Sequence, residues 1–498
     1  MAERGRISLA LSRNALTGGL SSRDGVAAAG WRSAALEAAG LAVVLGVAAW
    51  IFAIPLHSGT NYDEGNYLAA LTDLRHGFVL GKDVYADQPP GWYLLLRLLA
   101  WLFGNSLTGV RTGLLVLALG GVAAAWACAR RLGPLPALGA AAVLVVAAPY
   151  PAQATQIEAD TPAAVLALAA LALAIWAGRR KRTSIPLATL AGAVLACAVS
   201  VKLSALTVLF PLAVIALPWR RRLVWPLLGA GAVFGAEVLA FRNELGPIAR
   251  GAIGQHTSAL GSSQYARSAN VNRLVNFLNS HTPLTWLLIG AVLVSLLLAI
   301  KRDPERRLLG ALWLFVPAAV LFILALKPLL DHHLVILAVA LALPTGAALG
   351  LAATRLRREA AAVVVVAVAV LIPAGVFQQH RQLVRNKQPE PGWLVRAAQW
   401  MRAETAPNEV VATDIPIIAY YAHRELVPDF VDTSFTRLDV NDLTPAEVFA
   451  DLDRYHVRIA AIGRAFYADP KIQAGFNARA QRRIVHLDIV YYVLRRHP

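Results

Sequence analysis

The sequence predicts a polytopic α-helical membrane protein with about eleven transmembrane helices and a small C-terminal α/β domain outside the membrane. Of its 498 residues, 57% are hydrophobic and only 15% are charged, whereas soluble domains carry about 25% charged residues. Apolar runs of about 17 residues or more, long enough to cross a bilayer as helices, recur along most of the chain. The net charge of +17 is spread over short clusters between these runs, which is typical of the positive-inside rule and argues against one nucleic-acid-binding patch.

These clusters also predict the topology. Residues 1–33 carry scattered arginines and are expected to form a cytoplasmic tail. The predicted spans are roughly 34–55, 108–128, 135–150, 161–178, 184–201, 203–218, 223–241, 284–300, 308–326, 333–352 and 360–377. The basic clusters lie at 129–133, 179–182, 220–222, 301–307 and 355–359. If every cluster is cytoplasmic, the loops 56–107 and 242–283 and the C-terminal segment lie on the other side.

The segments assigned to this outer side have distinct patterns. Residues 66–78 and 90–104 are expected to form two helices in the membrane interface, the second with Trp92, Tyr93 and Trp101 at headgroup depth. Residues 242–283 form a long polar loop, a length that is usually functional or disordered. Residues 378–498 are predicted to form the α/β domain, with buried strands in "EVVATD" and "RIAAIG", an amphipathic helix in "PAEVFADLDRYH" and a closing strand in "RRIVHLDIVYYVLRR".

With this topology, ionisable residues from separate segments converge on the outer membrane face. They are Asp63 and Glu64 in "NYDEGNY", Glu158 and Asp160 in "QIEADTP", Lys202 in "SVKLSA", and His332 and His333 after Asp331. Ionisable groups are costly at a bilayer boundary and usually serve function there.

Each of these residues also has a structural interpretation, which the sequence leaves open. Asp63 and Glu64 suit the N-terminus of a helix, and Asp160 suits an N-cap before a proline in the first turn. Lys202 can extend its ammonium group toward water, and the two histidines can anchor the chain at the interface. Cys128 and Cys197 lie in apolar segments, where cysteine behaves as a small hydrophobe, so no disulfide is predicted.

As a set, the residues favour chemistry on a lipid-linked phosphate. A carboxylate at the membrane surface can deprotonate an acceptor hydroxyl within hydrogen-bond reach. A lysine, histidines or a carboxylate-bound metal ion can neutralise a departing phosphate. Both transfer of a phosphate-linked sugar and hydrolysis of a phosphoester fit these groups.

The stretch "NYDEGNYLAALTDLRHG…YADQPPGWYLLLRLLAWLFG" resembles the first-loop signature of the C-type (GT-C) glycosyltransferase superfamily. It is similar in particular to the protein O-mannosyltransferases and to the aminoarabinose transferases that modify lipid A. The similarity continues through "QIEADTPAAVLALAALAL", "SVKLSALTVLFPL" and "DHHLVILAVALALP" and covers roughly residues 34–377.

The resemblance implies an inverting transferase that uses a polyprenyl-phosphate-linked sugar on the extracytoplasmic face. Asp63 matches the catalytic aspartate and Glu64 would shape or assist the site. Asp160 matches a second acidic position associated with acceptor placement or a divalent metal, and Lys202 matches a lysine near the lipid phosphate. A divalent metal held by Asp63, Asp160 and His332 is a further hypothesis.

One departure from the family pattern concerns Gln88. Aminoarabinose transferases have a lysine before Pro-Pro, where this chain has Gln88. An amide donates hydrogen bonds but cannot neutralise a phosphate. That charge would have to come from Lys202, from His332 and His333, from Arg267 in the long loop, or from a metal, and the lipid A substrate is not carried over.

The sequence therefore predicts a multi-pass cell-membrane glycosyltransferase with Asp63 as general base and an extracytoplasmic active site. Its acceptor would be a lipid, a glycan or a protein. The main alternative is a membrane lipid or solute transporter. Transporters place ionisable groups near the bilayer midplane within repeated halves, whereas the acids of this chain lie at the boundary and no repeat is apparent.

Overall fold

The computed structural model describes residues 33–178, 184–216, 222–254, 267–300, 306–326, 329–486 and 489–495. Residues 1–32 of the predicted tail, the basic cluster 179–182, most of the clusters 220–222 and 301–307, and residues 255–266 of the long polar loop lie outside these ranges.

A helical bundle forms the larger part of the described chain. Its first helices are α1 (Ser33–His57), α2 (Tyr62–Arg75), α3 (Pro90–Phe103), α4 (Leu107–Ala129), α5 (Pro134–Val146), α6 (Tyr150–Gln153), α7 (Asp160–Ala177), α8 (Ile185–Val201), α9 (Leu209–Ala216), α10 (Val224–Ala240) and α11 (Leu245–Ala249). They are followed by α12 (Arg267–Ser280), α13 (Thr282–Ile300), α14 (Arg306–Trp313), α15 (Phe315–Ala325), α16 (Val335–Arg355) and α17 (Arg358–Asn386).

The prediction of a multi-pass membrane protein is confirmed. Within the described residues, seven helical segments are long and apolar enough to cross a membrane, and a bent pair made of α10 and the Leu245–Gly254 segment would be an eighth. The predicted spans 135–150, 184–201 and 203–218 correspond to shorter apolar helices. The number of eleven spans therefore stays a prediction.

The bundle is centred on α16, which is buried over a length sufficient to cross a membrane. Small residues allow this burial, because backbones can approach closely only where no side chain intervenes. A Cβ atom placed on Gly139 of α5 would lie 2.4 Å from the carbonyl oxygen of Gly346 in α16. The middle of α16 is thereby held close to α5, and the helix begins at Val335, two residues after His333.

The two helices of the first loop form at the predicted places but are more buried than predicted. In α2 every residue from Glu64 to Leu71 is buried. In α3, Trp92 and Tyr93 are buried in the core, whereas Trp101 is largely exposed. Trp92 and Tyr93 therefore do not contact lipid headgroups, and their depth in the membrane stays a prediction. Trp92 packs edge-on against Tyr67 of α2, with ring centroids 5.2 Å apart.

The C-terminal segment forms the predicted small α/β domain. Its elements are α18 (Gly392–Glu404), β1 (Ala412–Thr413), α19 (Ile417–Ala422), α20 (Phe435–Asp439), α21 (Pro445–Arg454), β2 (Ile459–Ile462), α22 (Ala465–Ala468), α23 (Pro470–Arg479), β3 (Ala480–His486) and β4 (Ile489–Leu494). The sheet order is β1-β2-β4-β3, with β1 and β2 parallel and the other pairs antiparallel. The bundle helix α17 ends at Asn386, beyond the predicted boundary at 377.

One strand prediction in this domain needs correction. The sequence "RRIVHLDIVYYVLRR" was expected to be one closing strand, but it contributes to the hairpin of β3 and β4. The burial explains the division: β3 is exposed from Gln481 to His486, whereas β4 is buried at nearly every position. The polar half lies at the sheet edge and the apolar half lies in its interior.

The domain packs on the bundle through α2, the loop after it and the start of α4. A Cβ atom on Gly65 would lie 2.9 Å from Cβ of Ile417, so α2 and α19 are in backbone-level contact. The Tyr85 amide donates to the Pro428 carbonyl at 3.4 Å, and the Tyr420 hydroxyl donates to the Asn105 carbonyl at 3.2 Å. We call the side of the bundle that carries this domain the domain face.

Candidate active site

The start of α2 is held by a capping box on either side of Asp63. The Asn61 side chain accepts a hydrogen bond from the Glu64 amide at 2.8 Å, and the Glu64 carboxylate accepts one from the Asn61 amide at 3.2 Å. This arrangement satisfies backbone donors that a helix N-terminus otherwise leaves unpaired. The first turn is fixed as a result, and Asp63 lies between the two capping residues.

Glu64 also forms a buried ion pair with Arg111 of α4. The Arg111 guanidinium donates to the two carboxylate oxygens at 2.8 and 2.6 Å, and the Arg111 and Glu64 side chains are only 2% and 1% exposed. The Ile157 amide donates to the same carboxylate at 3.1 Å, and Arg111 further donates to the Ser58 carbonyl at 2.6 Å. Glu64 thus joins α2, α4 and the loop before α7.

In front of this pair, a cavity of about 110 Å³ lies between the domain face of the bundle and the C-terminal domain. The sequence-predicted residues that line it are Asp63, Gln88, Glu158, Asp160, Lys202, His332 and His333. Segments that are far apart in the sequence therefore meet at one site. We call this space the cavity.

Charged and polar groups are close together within the cavity. The Lys202 ammonium group lies 2.6 Å from the Asp160 carboxylate. The two ring nitrogens of His332 face different carboxylates: Nδ1 is 3.2 Å from Glu158 Oε2, whereas Nε2 is 4.0 Å from Asp160 Oδ2. Nδ1 is also 3.9 Å from Asp63 Oδ2. Three carboxylates thus surround one imidazole.

The crowding of acids alters their protonation. Burial, followed by the nearby charges of Asp87 and Asp432, raises the pKa of Asp63 to about 7. Burial, followed by Asp63 and Asp160, raises the pKa of Glu158 well above its ordinary value. A carboxyl group with a pKa near 7, such as Asp63, exchanges protons near neutral pH, which is the range that general acid–base catalysis requires.

Asp87 forms a second polar wall of the cavity, next to Gln88. The Tyr67 hydroxyl donates to one Asp87 oxygen at 2.9 Å and the Tyr93 hydroxyl donates to the other at 2.5 Å. Gln88 is 7% exposed and lines the cavity directly. The two tyrosines explain why α2 and α3 pack together at this point.

The C-terminal domain supplies the remaining wall, which the sequence did not predict. Asp432, Ser434 and Thr436 line the cavity. Burial, together with the charge of Asp87, raises the pKa of Asp432 to about 6 against the opposing effect of Arg437. The domain is therefore part of the site.

Two overlapping groups of side chains can hold a metal ion, as far as the described residues show. One consists of Asp160, His332 and His333, and the other of Asp63, Glu158 and His332. The predicted set of Asp63, Asp160 and His332 is thus divided between two groups that share the histidine. Imidazole and carboxylate ligands suit Zn²⁺ and Mn²⁺, so the donor atoms fit such an ion.

One predicted residue, Glu64, does not line the cavity. Glu64 lies behind it, with its oxygens taken by Arg111 and backbone amides. Arg267 begins α12, but its side chain is outside the part that the structure describes. Arg111 was missed, although an arginine inside an apolar span is a signal for function or pairing. The sequence "FVDTSFTR" around Asp432 lies outside the apolar spans, so nothing in it distinguishes this acid from other surface acids.

Comparison with known proteins agrees with this architecture. Residues 87–240 match the model of the family described as dolichyl-phosphate-mannose-protein mannosyltransferase. No curated protein sequence matches the chain.

Among solved structures, ArnT from Cupriavidus metallidurans is similar in its apo state, with a TM-score of 0.64 at 15% identity over 94% of this chain and 98% of that one. The same protein bound to undecaprenyl phosphate has a TM-score of 0.65 and 16% identity, over 91% of this chain and 97% of that one. The Archaeoglobus fulgidus oligosaccharyltransferase in complex with Zn and sulfate has a TM-score of 0.53 and 13% identity, over 84% of this chain and 68% of that one. The predicted GT-C fold is thereby confirmed.

Proposed function

We propose that the protein is a glycosyltransferase that moves a sugar from a polyprenyl-phosphate-linked donor to an acceptor hydroxyl, with inversion. The observation that carries the proposal is the cavity itself, where Asp63 shares a small space with Lys202 and His332. A base and a positive charge beside the departing phosphate are the two elements that this displacement needs, and Asp63 and Lys202 would supply them. The similarity to ArnT, solved with undecaprenyl phosphate, supports the class of donor.

The reaction would be a single displacement at the anomeric carbon. Asp63 takes the proton of the acceptor hydroxyl while the hydroxyl oxygen forms a bond to the anomeric carbon. The bond between that carbon and the phosphate oxygen breaks, and polyprenyl phosphate leaves with the electron pair. Because attack and departure occur on opposite sides of the carbon, the configuration is inverted.

The charges around the phosphate come from the bundle. The Lys202 side chain is 12% exposed, so the interaction of its ammonium group with an anion is only weakly screened by water. Gln88 and the two histidines add hydrogen-bonding groups to the same cavity. Lys202 would then exchange part of its contact with Asp160 for the phosphate.

A divalent metal ion is compatible with this site. Asp160, His332 and His333 would hold it, and it would supply further positive charge to the departing phosphate. The Zn of the archaeal oligosaccharyltransferase structure belongs to that protein, and its presence on a similar fold supports this part of the proposal.

The cavity would lie on the extracytoplasmic side of the cell membrane. The helix α4 starts beside the C-terminal domain, where Tyr420 contacts Asn105, and ends at Ala129, directly before Arg130. The helix α16 follows the cavity histidines and ends at Arg355. Basic helix ends therefore lie opposite the domain face, and basic ends are generally cytoplasmic.

The test uses the purified full-length protein in lipid nanodiscs with undecaprenyl-phosphate-linked mannose, glucose, galactose and arabinose. Membrane lipid, glycan and peptide fractions serve as acceptors, with and without EDTA, and released undecaprenyl phosphate is measured. We expect release with at least one sugar in the wild type and its loss in Asp63→Asn. The matched control is Asp439→Asn, an exposed acid of α20.

Wild-type protein that releases no lipid phosphate from any of these donors would contradict the proposal. Release that persists in Asp63→Asn would contradict the role of Asp63 alone. Loss of release in EDTA, restored by Zn²⁺ or Mn²⁺, would establish the metal, and unchanged release in EDTA would remove it from the mechanism.

A further inference from the structure

The segment 432–436 of the C-terminal domain, which runs into the first turn of α20 and which we call the loop, presents polar side chains to the cavity from the side opposite the bundle. Asp432, Ser434 and Thr436 line the same space as Lys202 and His332. Asp432 is only 5% exposed, and burial of a carboxylate is costly unless it is compensated. Because its burial does not favour folding, a carboxylate at the cavity wall is more readily explained by a role in binding a ligand.

This loop is fastened to the start of α2. The Thr433 amide donates to the Tyr62 hydroxyl at 2.9 Å, and that hydroxyl lies 3.1 Å from Thr433 Oγ1. Tyr62 directly precedes Asp63. The loop and the proposed base therefore have a fixed relative position.

A buried arginine fixes the loop from behind. Arg437 donates to the Asp432 backbone carbonyl at 2.9 Å and forms a two-contact ion pair with Asp429 at 2.7 and 2.9 Å. Its guanidinium also stacks on the Tyr85 ring at 3.6 Å from the centroid. The Arg437 charge is thus paired with Asp429 and Asp442, while the Asp432 side chain accepts from the Ser434 amide at 2.9 Å. Such preorganised groups lose little entropy when they bind a ligand.

The two walls of the cavity carry different chemistry. The bundle wall contains the Lys202 ammonium group and the His332 imidazole, which suit a phosphate. The domain wall contains one carboxylate and two hydroxyl groups, which suit sugar hydroxyls, because carboxylates accept hydrogen bonds and hydroxyls both donate and accept. In a lipid-linked donor the sugar is bonded directly to the phosphate, so both must fit side by side.

We propose that Asp432, Ser434 and Thr436 bind hydroxyl groups of the sugar carried by the polyprenyl phosphate. The bundle then holds the phosphate, and the C-terminal domain selects the sugar. This inference rests on the proposed function, since it needs a lipid-linked sugar in the cavity.

The experiment compares two ligands on each variant: undecaprenyl phosphate and the sugar-bearing undecaprenyl phosphate, with mannose, glucose, galactose and arabinose tested in turn. Kd values are measured in nanodiscs for the wild type and for Asp432→Asn, Thr436→Val and the control Asp439→Asn. We expect the wild type to bind one sugar-bearing lipid more tightly than the bare lipid. That preference should fall about tenfold in Asp432→Asn, as for one lost charge-assisted hydrogen bond.

The variants are chosen to separate recognition from folding. Asparagine at 432 can still accept from the Ser434 amide, and valine at 436 keeps the shape of threonine. Unchanged Kd for the bare lipid shows that each variant is folded and that its phosphate wall is intact. Thr436→Val should lower the preference for the sugar less than Asp432→Asn, and Asp439→Asn should leave it unaltered.

The inference would be overturned if both cavity variants kept the wild-type preference, if they lost the bare and the sugar-bearing lipid to the same extent, or if the wild type had no preference for any of the four sugars. Failure of the proposed function looks different. In that case the wild type would not bind bare undecaprenyl phosphate and would release none from the sugar-bearing lipids.

Discussion

Buried charged groups are paired in the layer directly behind the cavity but are crowded together within the cavity itself. Behind the cavity, Glu64 and Arg111 neutralise one another and their remaining hydrogen bonds go to backbone groups. Within the cavity, the acids Asp63, Glu158 and Asp160 surround His332 and Lys202 and outnumber them. Adjacent residues of one motif therefore belong to different regions.

A satisfied ion pair positions the chain, whereas a crowded group of charges remains reactive. The Glu64–Arg111 pair keeps α2 and α4 in place and has no capacity left for a substrate. The cavity carboxylates repel one another, so a cationic group or an exchanged proton is stabilised there. Substitutions of Asp63, Glu64, Lys202 and Asp73 test this division, and their expected effects decrease in that order.

Asp63→Asn should have the strongest consequence. Loss of the general base should lower the rate of sugar transfer by about 10²–10⁴-fold, while the melting temperature in nanodiscs stays close to that of the wild type. The assay is release of undecaprenyl phosphate under saturating donor. A variant that loses activity only because it melts early would place Asp63 with Glu64 among the structural residues.

Glu64→Ala is expected to act on stability. Arg111 would be left as an uncompensated buried charge, a situation that typically costs about 3–5 kcal/mol. Thermal unfolding of the purified protein, followed by size-exclusion chromatography, measures the loss. The double variant Glu64→Met with Arg111→Met should recover most of it, because it removes both charges together. If the single variant melts like the wild type and is inactive, Glu64 has a chemical role.

Lys202→Met is expected to weaken the binding of undecaprenyl phosphate by about ten- to a hundredfold, as for the loss of one charge-assisted contact to an anion. Lipid Kd is measured in nanodiscs at low and high salt. Asp160→Asn serves as the companion variant, because it keeps the lysine and removes its carboxylate partner. Equal lipid affinity in wild type and Lys202→Met would move the phosphate away from this lysine.

Asp73→Asn, further along α2, should change the protein least. Asp73 is fully buried, and no basic side chain pairs with it in the described part of the chain. Burial raises the pKa of Asp73 well above its ordinary value, opposed by the Leu426 amide. The folded state thus binds this proton more tightly than the unfolded state, so stability falls as pH rises above the ordinary aspartate pKa of about 4.

Asparagine at this position should therefore raise the melting temperature slightly at neutral pH, and the gain should shrink as the pH is lowered toward about 4. Melting temperatures of the wild type and of Asp73→Asn, measured between about pH 4 and neutral pH, test this dependence. A gain that is independent of pH would point to a change of packing, and a loss at neutral pH would mean that the charged form of Asp73 is stabilised by its surroundings.

Much of the site could be predicted from the sequence because membrane topology restricts where ionisable residues can lie. Once the spans and basic clusters are placed, Asp63, Asp160 and Lys202 must come near the same membrane face. The distances among them could not be predicted. The 2.6 Å contact of Lys202 with Asp160 depends on how α7 and α8 pack, and side-chain packing between helices has no local signature.

Burial was the property that sequence reasoning judged least well. The residues Trp92 and Tyr93 have the amphipathic character of interfacial aromatics, yet both are in the core. Tyr67 of α2 packs against Trp92 and shares Asp87 with Tyr93, so the neighbouring helix encloses a face that would otherwise meet the lipid headgroups.

Hydrophobic runs and charge clusters are local properties, so the amino-acid sequence alone established that the chain crosses a membrane many times, that a small α/β domain follows, and that an acidic motif starts the first loop. Tertiary packing was needed to show that Glu64 turns back to Arg111 while Asp63 faces the cavity. It was also needed to show that Asp432 completes the wall. Burial and charge pairing depend on segments that are distant in the sequence, from 47 residues for Glu64 and Arg111 to 371 residues for Tyr62 and Thr433, and that meet only in the folded protein.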